Sequence, residues 1–163
     1  RMLDALPTSP AFVKTPCWDV LAWNAAAAAV FMDYGALPPR ERNVLRCLFS
    51  DPSRKQILPN WESDVRFALA AFRVDAVRTG GSPEATALVA ELLATSADFR
   101  RLWAENELRS YGVGIKQLEH TIAGPLALEY SSLTIDGVPG LGLVVYTPLT
   151  AGDAAAIARL LGR

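Results

Sequence analysis

The sequence has little of what catalytic and metal sites are built from. It contains one histidine, His120, and two cysteines, Cys17 and Cys47, which form no CxxC pair. A zinc site needs several His, Cys or carboxylate ligands at short spacing, and a serine hydrolase needs a nucleophile motif such as GxSxG. Both patterns are missing, as is a complete phosphate-binding glycine motif. We therefore predict that the chain is not an enzyme and that it holds no metal or cofactor.

Long apolar runs and an excess of positive charge are also missing. No apolar stretch reaches the ~18 residues that a membrane span needs, and no signal-peptide pattern opens the chain. Sixteen basic and seventeen acidic side chains give a net charge of −1, whereas a domain that grips DNA usually carries a basic face. We expect a cytoplasmic domain that does not touch DNA directly.

The composition that is present is that of one globular domain. Apolar residues make up 51% of the 163 residues and charged residues 20%. A single domain over residues 1–163 is therefore expected. The sequence begins with Arg1 and not with Met, and residues 1–10 already look like part of a fold. This leads us to expect that an upstream part precedes it.

Periodicity and turn residues predict strands at both ends of the chain and helices between them. Alternating or continuous apolar runs predict five strands, over residues 11–15, 18–23, 115–119, 125–133 and 141–147. Spacings of three and four, with capping residues, predict helices over 25–33 and 40–50, from about residue 60 to Gly80, from Pro83, after Ser96, and over 153–161. Gly35 is expected to end the first of them.

Grouped strands and grouped helices indicate an α+β fold and argue against a doubly wound parallel sheet. We predict a five-stranded antiparallel sheet with helices packed on one face. A cavity between a sheet and its helices is a usual place for a small apolar ligand.

The candidate ligand-binding residues are polar or aromatic groups within apolar stretches. Arg42, Asn43 and Arg46 lie on the predicted 40–50 helix, where they form a solvated edge or turn an arginine toward an acidic head group. Arg73 offers the same alternatives. Asn24 is a helix cap or a ligand contact, and His120 is a structural residue or a ligand contact. Trp61 belongs either to the core or to a cavity wall.

Several stretches together resemble the ligand-binding domain of MmyB-like transcription regulators. They are PAFVKTPCWDVLAWNAAAAAVF, RNVLRCLFSDPSRKQILPNWESDVRFALAAFR, ELLATSADFRRLW, KQLEHTIAGPLALEYSSL and LGLVVYTP, in this order. The resemblance implies a PAS-like fold, a pocket for a fatty-acid-like ligand, and an XRE-type helix-turn-helix domain upstream that binds DNA. It also implies ligand or framework roles for the polar residues Asn24, Arg42, Asn43, Arg46 and His120 with Gly124.

Two departures from the family pattern leave the choice of ligand open. Many members have His-Pro before Val-Gly in the third strand, where this chain has His120-Thr121-Ile122-Ala123-Gly124. Many also have Trp followed by His-x-Val, where this chain has Trp103, Asn106 and Leu108. The main alternative is a PAS-like interaction or dimerisation module without a ligand, forming a homodimer. It predicts a cavity filled by aromatic side chains and an apolar surface patch. A hydrolase that acts on acyl groups through His120 is the third alternative.

Overall fold

A computed structural model describes residues 1–105 and 113–162, with the Val113 side chain outside the description. The strands are β1 (Ala11–Lys14), β2 (Val20–Trp23), β3 (Val113–His120), β4 (Gly124–Thr134) and β5 (Gly142–Pro148). The α-helices are α1 (Ala25–Val30), α2 (Val44–Ser50), α3 (Arg54–Ile57), α4 (Trp61–Arg78), α5 (Pro83–Thr95), α6 (Ala97–Glu105) and α7 (Ala151–Leu160).

The five strands form one antiparallel sheet in the order β2-β1-β5-β4-β3. The N-terminal hairpin and the three C-terminal strands meet where β1 pairs with β5, and α1 to α6 lie in the connection between β2 and β3. The predicted α+β class and the five-stranded antiparallel sheet are confirmed. This strand order is consistent with a PAS-like fold.

One face of the sheet carries the side chains that meet the helices. The register aligns Phe12 of β1 with Val144 of β5, Tyr146 of β5 with Tyr130 of β4, and Leu126 of β4 with Leu118 of β3. The main core joins Leu118, Leu126 and Leu128 of the sheet to α4, α5, α6 and α7, including Ile157. Helix packing on this face buries the sheet, while Leu133 on the opposite face is half exposed.

Capping side chains set where the helices begin. The Asn24, Ser82 and Ser96 side chains accept backbone N–H bonds from residues three positions on, as predicted. Asn43 accepts from the N–H groups of both Leu45 and Arg46. The predicted helix over 40–50 is therefore wrong in its first part: a 3₁₀ turn covers Pro39–Glu41, and α2 begins at Val44.

The first helix is also shorter than predicted. It ends at Val30, where the N–H groups of Phe31 and Met32 both bond to the Ala27 carbonyl. The Asp33 carboxylate then accepts from the Gly35 N–H and begins a 3₁₀ turn over Tyr34–Ala36. Gly35 is thus part of a separate turn and not the end of α1. The short helix α3 was not predicted, because its four residues show no apolar period.

Candidate functional site

A cavity of about 220 Å³ lies between the helix-covered face of the sheet and helices α1 to α4. It is larger than an apolar cavity of roughly 150 Å³, which can take up a benzene molecule. Its apolar wall includes Phe12, Val30, Phe31, Val44, Leu48, Ile57, Leu58, Phe67, Ala68, Leu118 and Val144.

The cavity extends across four strands. Its floor includes Phe12 of β1, Val144 of β5, Tyr130 of β4 and Lys116 of β3. Since neighbouring strands lie about 4.8 Å apart, three spacings give a width of about 14 Å. The space is therefore long enough for an extended aliphatic chain.

Aromatic rings frame the middle of this floor. The Tyr130 and Tyr146 ring centroids are 6.0 Å apart; Phe31 packs edge-on against Tyr146 at 4.7 Å, and Phe67 packs edge-on against Tyr130 at 5.0 Å. Gly114, opposite Tyr130 in the β3–β4 pair, leaves room for this ring, because a Cβ at position 114 would lie 2.7 Å from Tyr130 Cε1.

A largely buried ion pair lies at the β3 end of the cavity. The Lys116 Nζ lies 3.5 Å from Oδ2 of Asp64 on α4, and both side chains are about 15% exposed (16% and 15%). Burial lowers the pKa of Lys116, and burial raises the pKa of Asp64, although each group's charge favours ionisation of the other. Desolvation therefore outweighs the attraction between them.

Arg54 of α3 adds a second cation to this part of the wall. One of its terminal nitrogens donates to the Phe31 carbonyl at 2.8 Å, and its Nε lies 3.4 Å from the Asp51 carboxylate. The Nε is buried and has no hydrogen-bond partner among the described residues.

A second buried ion pair stands at the β1 end of the cavity. Lys14 Nζ donates to the Asp75 carboxylate of α4 at 2.6 Å, and Trp18 Nε1 donates to the same oxygen at 2.9 Å. The side chains of Lys14 and Asp75 are 5% and 12% exposed. Burial lowers the pKa of Lys14 despite this contact.

Three of the predicted site residues, Asn24, Asn43 and His120, form hydrogen bonds to backbone groups of other segments. Asn24 accepts from the Ala11 and Ala27 N–H groups and donates to carbonyls in the first ten residues. Asn43 is fully buried and, besides capping α2, donates to the Cys17 carbonyl and the Asp19 carboxylate. His120 accepts two backbone N–H bonds at Nδ1, so its Nε2–H donates to the Ala29 carbonyl at 3.0 Å.

The other four predicted residues are engaged elsewhere. Arg42 donates to the Leu37 carbonyl, and Arg46 forms a bidentate pair with Glu91 at 2.9 and 2.7 Å on the surface. Arg73 stacks over the Trp103 ring at 4.3 Å and donates to the Trp103 carbonyl. Trp61 packs in the core and donates to the Leu48 carbonyl.

The seven predicted residues are therefore not brought together around the cavity. Among the described residues that line it, none is Asn24, Arg42, Asn43, Arg46, Trp61, Arg73 or His120. Their contact with a ligand stays a prediction. Of the two departures from the family pattern, the one at Asn106 and Leu108 falls outside the described residues.

Sequence reasoning missed the charged groups that do line the cavity, namely Lys14, Arg54, Asp64 and Lys116. A signal for two of them was present. Lys116 alternates in phase with Leu118 on a predicted strand, which places it on the buried face. Asp64 lies three residues after Trp61 and four before Ala68, on the apolar side of its helix.

Two further features are absent from the part of the chain that the structure describes. It contains no group of three or more His, Cys, Asp or Glu side chains that could hold a metal ion. It also contains no helix long and apolar enough to cross a membrane.

Comparison with known proteins gives one family. The family model described as "MmyB-like transcription regulator ligand binding domain" matches residues 1–161. No curated protein matches the chain.

Proposed function

The chain belongs to the family of MmyB-like transcription regulator ligand binding domains, and from that premise we propose that its cavity senses a fatty-acid-like molecule. A single observation carries the proposal: a mainly apolar cavity lined by residues of four strands has a largely buried lysine, Lys116, at its β3 end, with Arg54 nearby. This matches an aliphatic chain with an acidic head group, since basic side chains bind carboxylates through charge-assisted hydrogen bonds.

The apolar wall can supply enough free energy for such a ligand. Burial contributes about 0.8 kcal/mol per CH₂ group, so a chain of about eight buried carbons gains roughly 6 kcal/mol before the cost of immobilisation. A contact between the head group and Lys116 adds a further favourable interaction. Because immobilisation offsets part of this gain, we expect affinity no tighter than about micromolar for saturated acids of about ten carbons.

The domain's regulatory role follows from its family, and its partners are proposed from the sequence. We propose that DNA is bound by an XRE-type helix-turn-helix domain outside this sequence, because the net charge of −1 gives this domain no basic excess. Ligand binding would then favour one arrangement of the two domains. Binding, and not catalysis, is the role we assign, in the cytoplasm where the chromosome is accessible.

The alternative of a ligand-free interaction module has one observation in its favour. Leu133, on the sheet face away from the helices, is 52% exposed, and it would contribute to a homodimer contact as part of a larger apolar patch on that face. That alternative also predicts a core filled by aromatic side chains, whereas the rings here surround an open cavity.

Thermal shift with saturated C8–C18 acids, together with native mass spectrometry of the purified protein, tests the proposal. We expect a concentration-dependent rise in Tm that peaks near C10, because longer chains exceed the cavity. The control variant Leu133→Ala removes an apolar side chain from the opposite face and should keep the rise. A flat response to every acid, with no co-purified lipid, contradicts the proposal; loss of the response in the control indicates adsorption on the surface.

A further inference from the structure

Helix α4 crosses the cavity and carries a carboxylate at each end of it. Asp64 and Asp75 are eleven residues apart, which is about three turns and about 16 Å along a helix, so they project from the same side. Each faces a lysine of the sheet: Asp64 faces Lys116 of β3, and Asp75 faces Lys14 of β1. The two ion pairs tie the helix to the two halves of the sheet.

The two ion pairs differ in how well the aspartate carboxylate is hydrogen-bonded. Asp75 accepts two short hydrogen bonds at Oδ2, from Lys14 and from the Trp18 indole. The contact between Asp64 and Lys116 is 3.5 Å long, beyond the about 2.7–2.9 Å of a charge-assisted hydrogen bond. The Asp64 Oδ2 is buried and has no hydrogen-bond partner among the described residues.

Because the Lys116–Asp64 pair is incompletely hydrogen-bonded, another carboxylate could bond to Lys116 more closely than Asp64 does. A second carboxylate in the cavity could approach Lys116 at hydrogen-bond distance, and Arg54 would compensate part of the added negative charge. The Lys14–Asp75 pair is closer and better bonded, because Lys14 and the Trp18 indole both donate to the Asp75 carboxylate at short distance.

We propose that the carboxylate of an acyl ligand takes the place of Asp64 at Lys116, while Lys14 and Asp75 stay paired. This rests on the function proposed above and adds to it a head-group site and a competitor within the protein. Asp64 then lowers the affinity for acids in the unliganded protein. Ligand binding therefore breaks the Asp64–Lys116 ion pair near the N-terminal end of α4 and keeps the Lys14–Asp75 ion pair near its C-terminal end.

The experiment compares the affinities of decanoate and decanol, measured by isothermal titration calorimetry. The ratio of the two affinities isolates the head group, because the apolar chain is the same. In the wild type the acid should bind more tightly. Asp64→Asn should raise the acid-to-alcohol ratio by about tenfold or more, since Lys116 loses its internal partner.

Variants of Lys116 test the proposed head-group site through its cation. Lys116→Met keeps the packing of the stem and should bring the ratio close to one, while Lys116→Arg should restore a preference for the acid. Asp98→Asn is the matched control, because it removes a carboxylate that pairs with Lys55 on the surface, away from the cavity. Its ratio should equal that of the wild type.

The outcomes separate this inference from the proposed function. If neither compound binds the wild type, the proposed function fails. If both bind and the ratio is unchanged in Asp64→Asn and Lys116→Met, the head-group site is overturned and the cavity remains. Should Asp64→Asn not fold, the two lysine variants decide, and equal ratios in Met, Arg and wild-type proteins overturn the inference.

Discussion

Filling the cavity from α4 should stabilise the protein and prevent ligand binding. Ala68 lines the cavity, and Ala71, one turn further along the same helix, is buried in the core without lining it. The same change at both positions, Ala68→Leu and Ala71→Leu, therefore compares a site with free space and a site without it.

The expected magnitudes follow from this difference. Leucine at position 68 adds three carbon atoms, and at about 0.8 kcal/mol per buried carbon the gain in the free energy of unfolding is about 2 kcal/mol. For a protein of this size, this raises Tm by about 4–8 °C. Leucine at position 71 meets close-packed atoms and should cost about 1–3 kcal/mol.

Urea denaturation monitored by tryptophan fluorescence measures both changes, and calorimetry with decanoate measures binding. Ala68→Leu should lose at least tenfold in affinity while gaining stability. If Ala68→Leu is as destabilising as Ala71→Leu, the space in the cavity is not available to a side chain. If it is stabilising and still binds decanoate with unchanged affinity, the ligand binds elsewhere.

Three further predictions concern single side chains. Asn43→Ala should lower the free energy of unfolding, measured in urea, by about 2–4 kcal/mol, because two N–H groups and two acceptors lose their partner. Asn43→Asp keeps the cap but loses both donors and places a second carboxylate beside Asp19, so it should lower the free energy of unfolding at least as much. Arg46→Ala should lower the free energy of unfolding by less than about 1 kcal/mol, because its pair with Glu91 is exposed, and should leave decanoate affinity unchanged. The hypothesis that Arg46 binds the head group predicts instead a loss of about 1.5–3 kcal/mol in the free energy of decanoate binding. Burial raises the pKa of Asp64, which faces Lys116, above its ordinary value of 3.8. Its contribution to stability is therefore present below pH 3.8 and lost as the pH rises through its pKa in the folded state. The wild type should lose stability relative to Asp64→Asn as the pH rises above 3.8, and a constant difference contradicts the shift.

The strand pattern could be predicted well because it depends on local alternation. All five predicted strands lie within two residues of the observed strands at each end. The boundaries of α1 and α2 were predicted less well. There, Asp33 and Asn43 bond to nearby backbone N–H groups, which ends one helix early and starts the next one late.

The polar groups of the cavity depend on contacts between distant parts of the chain. Lys116 and Asp64 are 52 positions apart in the sequence, and they come together because α4 lies over β3 in the fold. The sequence predicted Arg46 and Arg73 as ligand contacts because arginine binds carboxylates well. In the structure Arg46 bonds to Glu91 and Arg73 to Trp103, and no local sequence pattern indicates either partner. The resemblance to a family indicated a pocket, while the identity of its charged groups required the three-dimensional structure.

Gly114 makes the cavity easy to reshape during evolution. A single methyl group at this position would collide with the Tyr130 ring, and that ring packs against both Phe67 and Tyr146. One codon change on an edge strand would therefore tilt a set of rings and narrow the space without disturbing a hydrogen bond of the sheet. Relatives that carry alanine or serine here should accept shorter or thinner ligands, so that regulators sharing this fold can diverge in what they detect through one position.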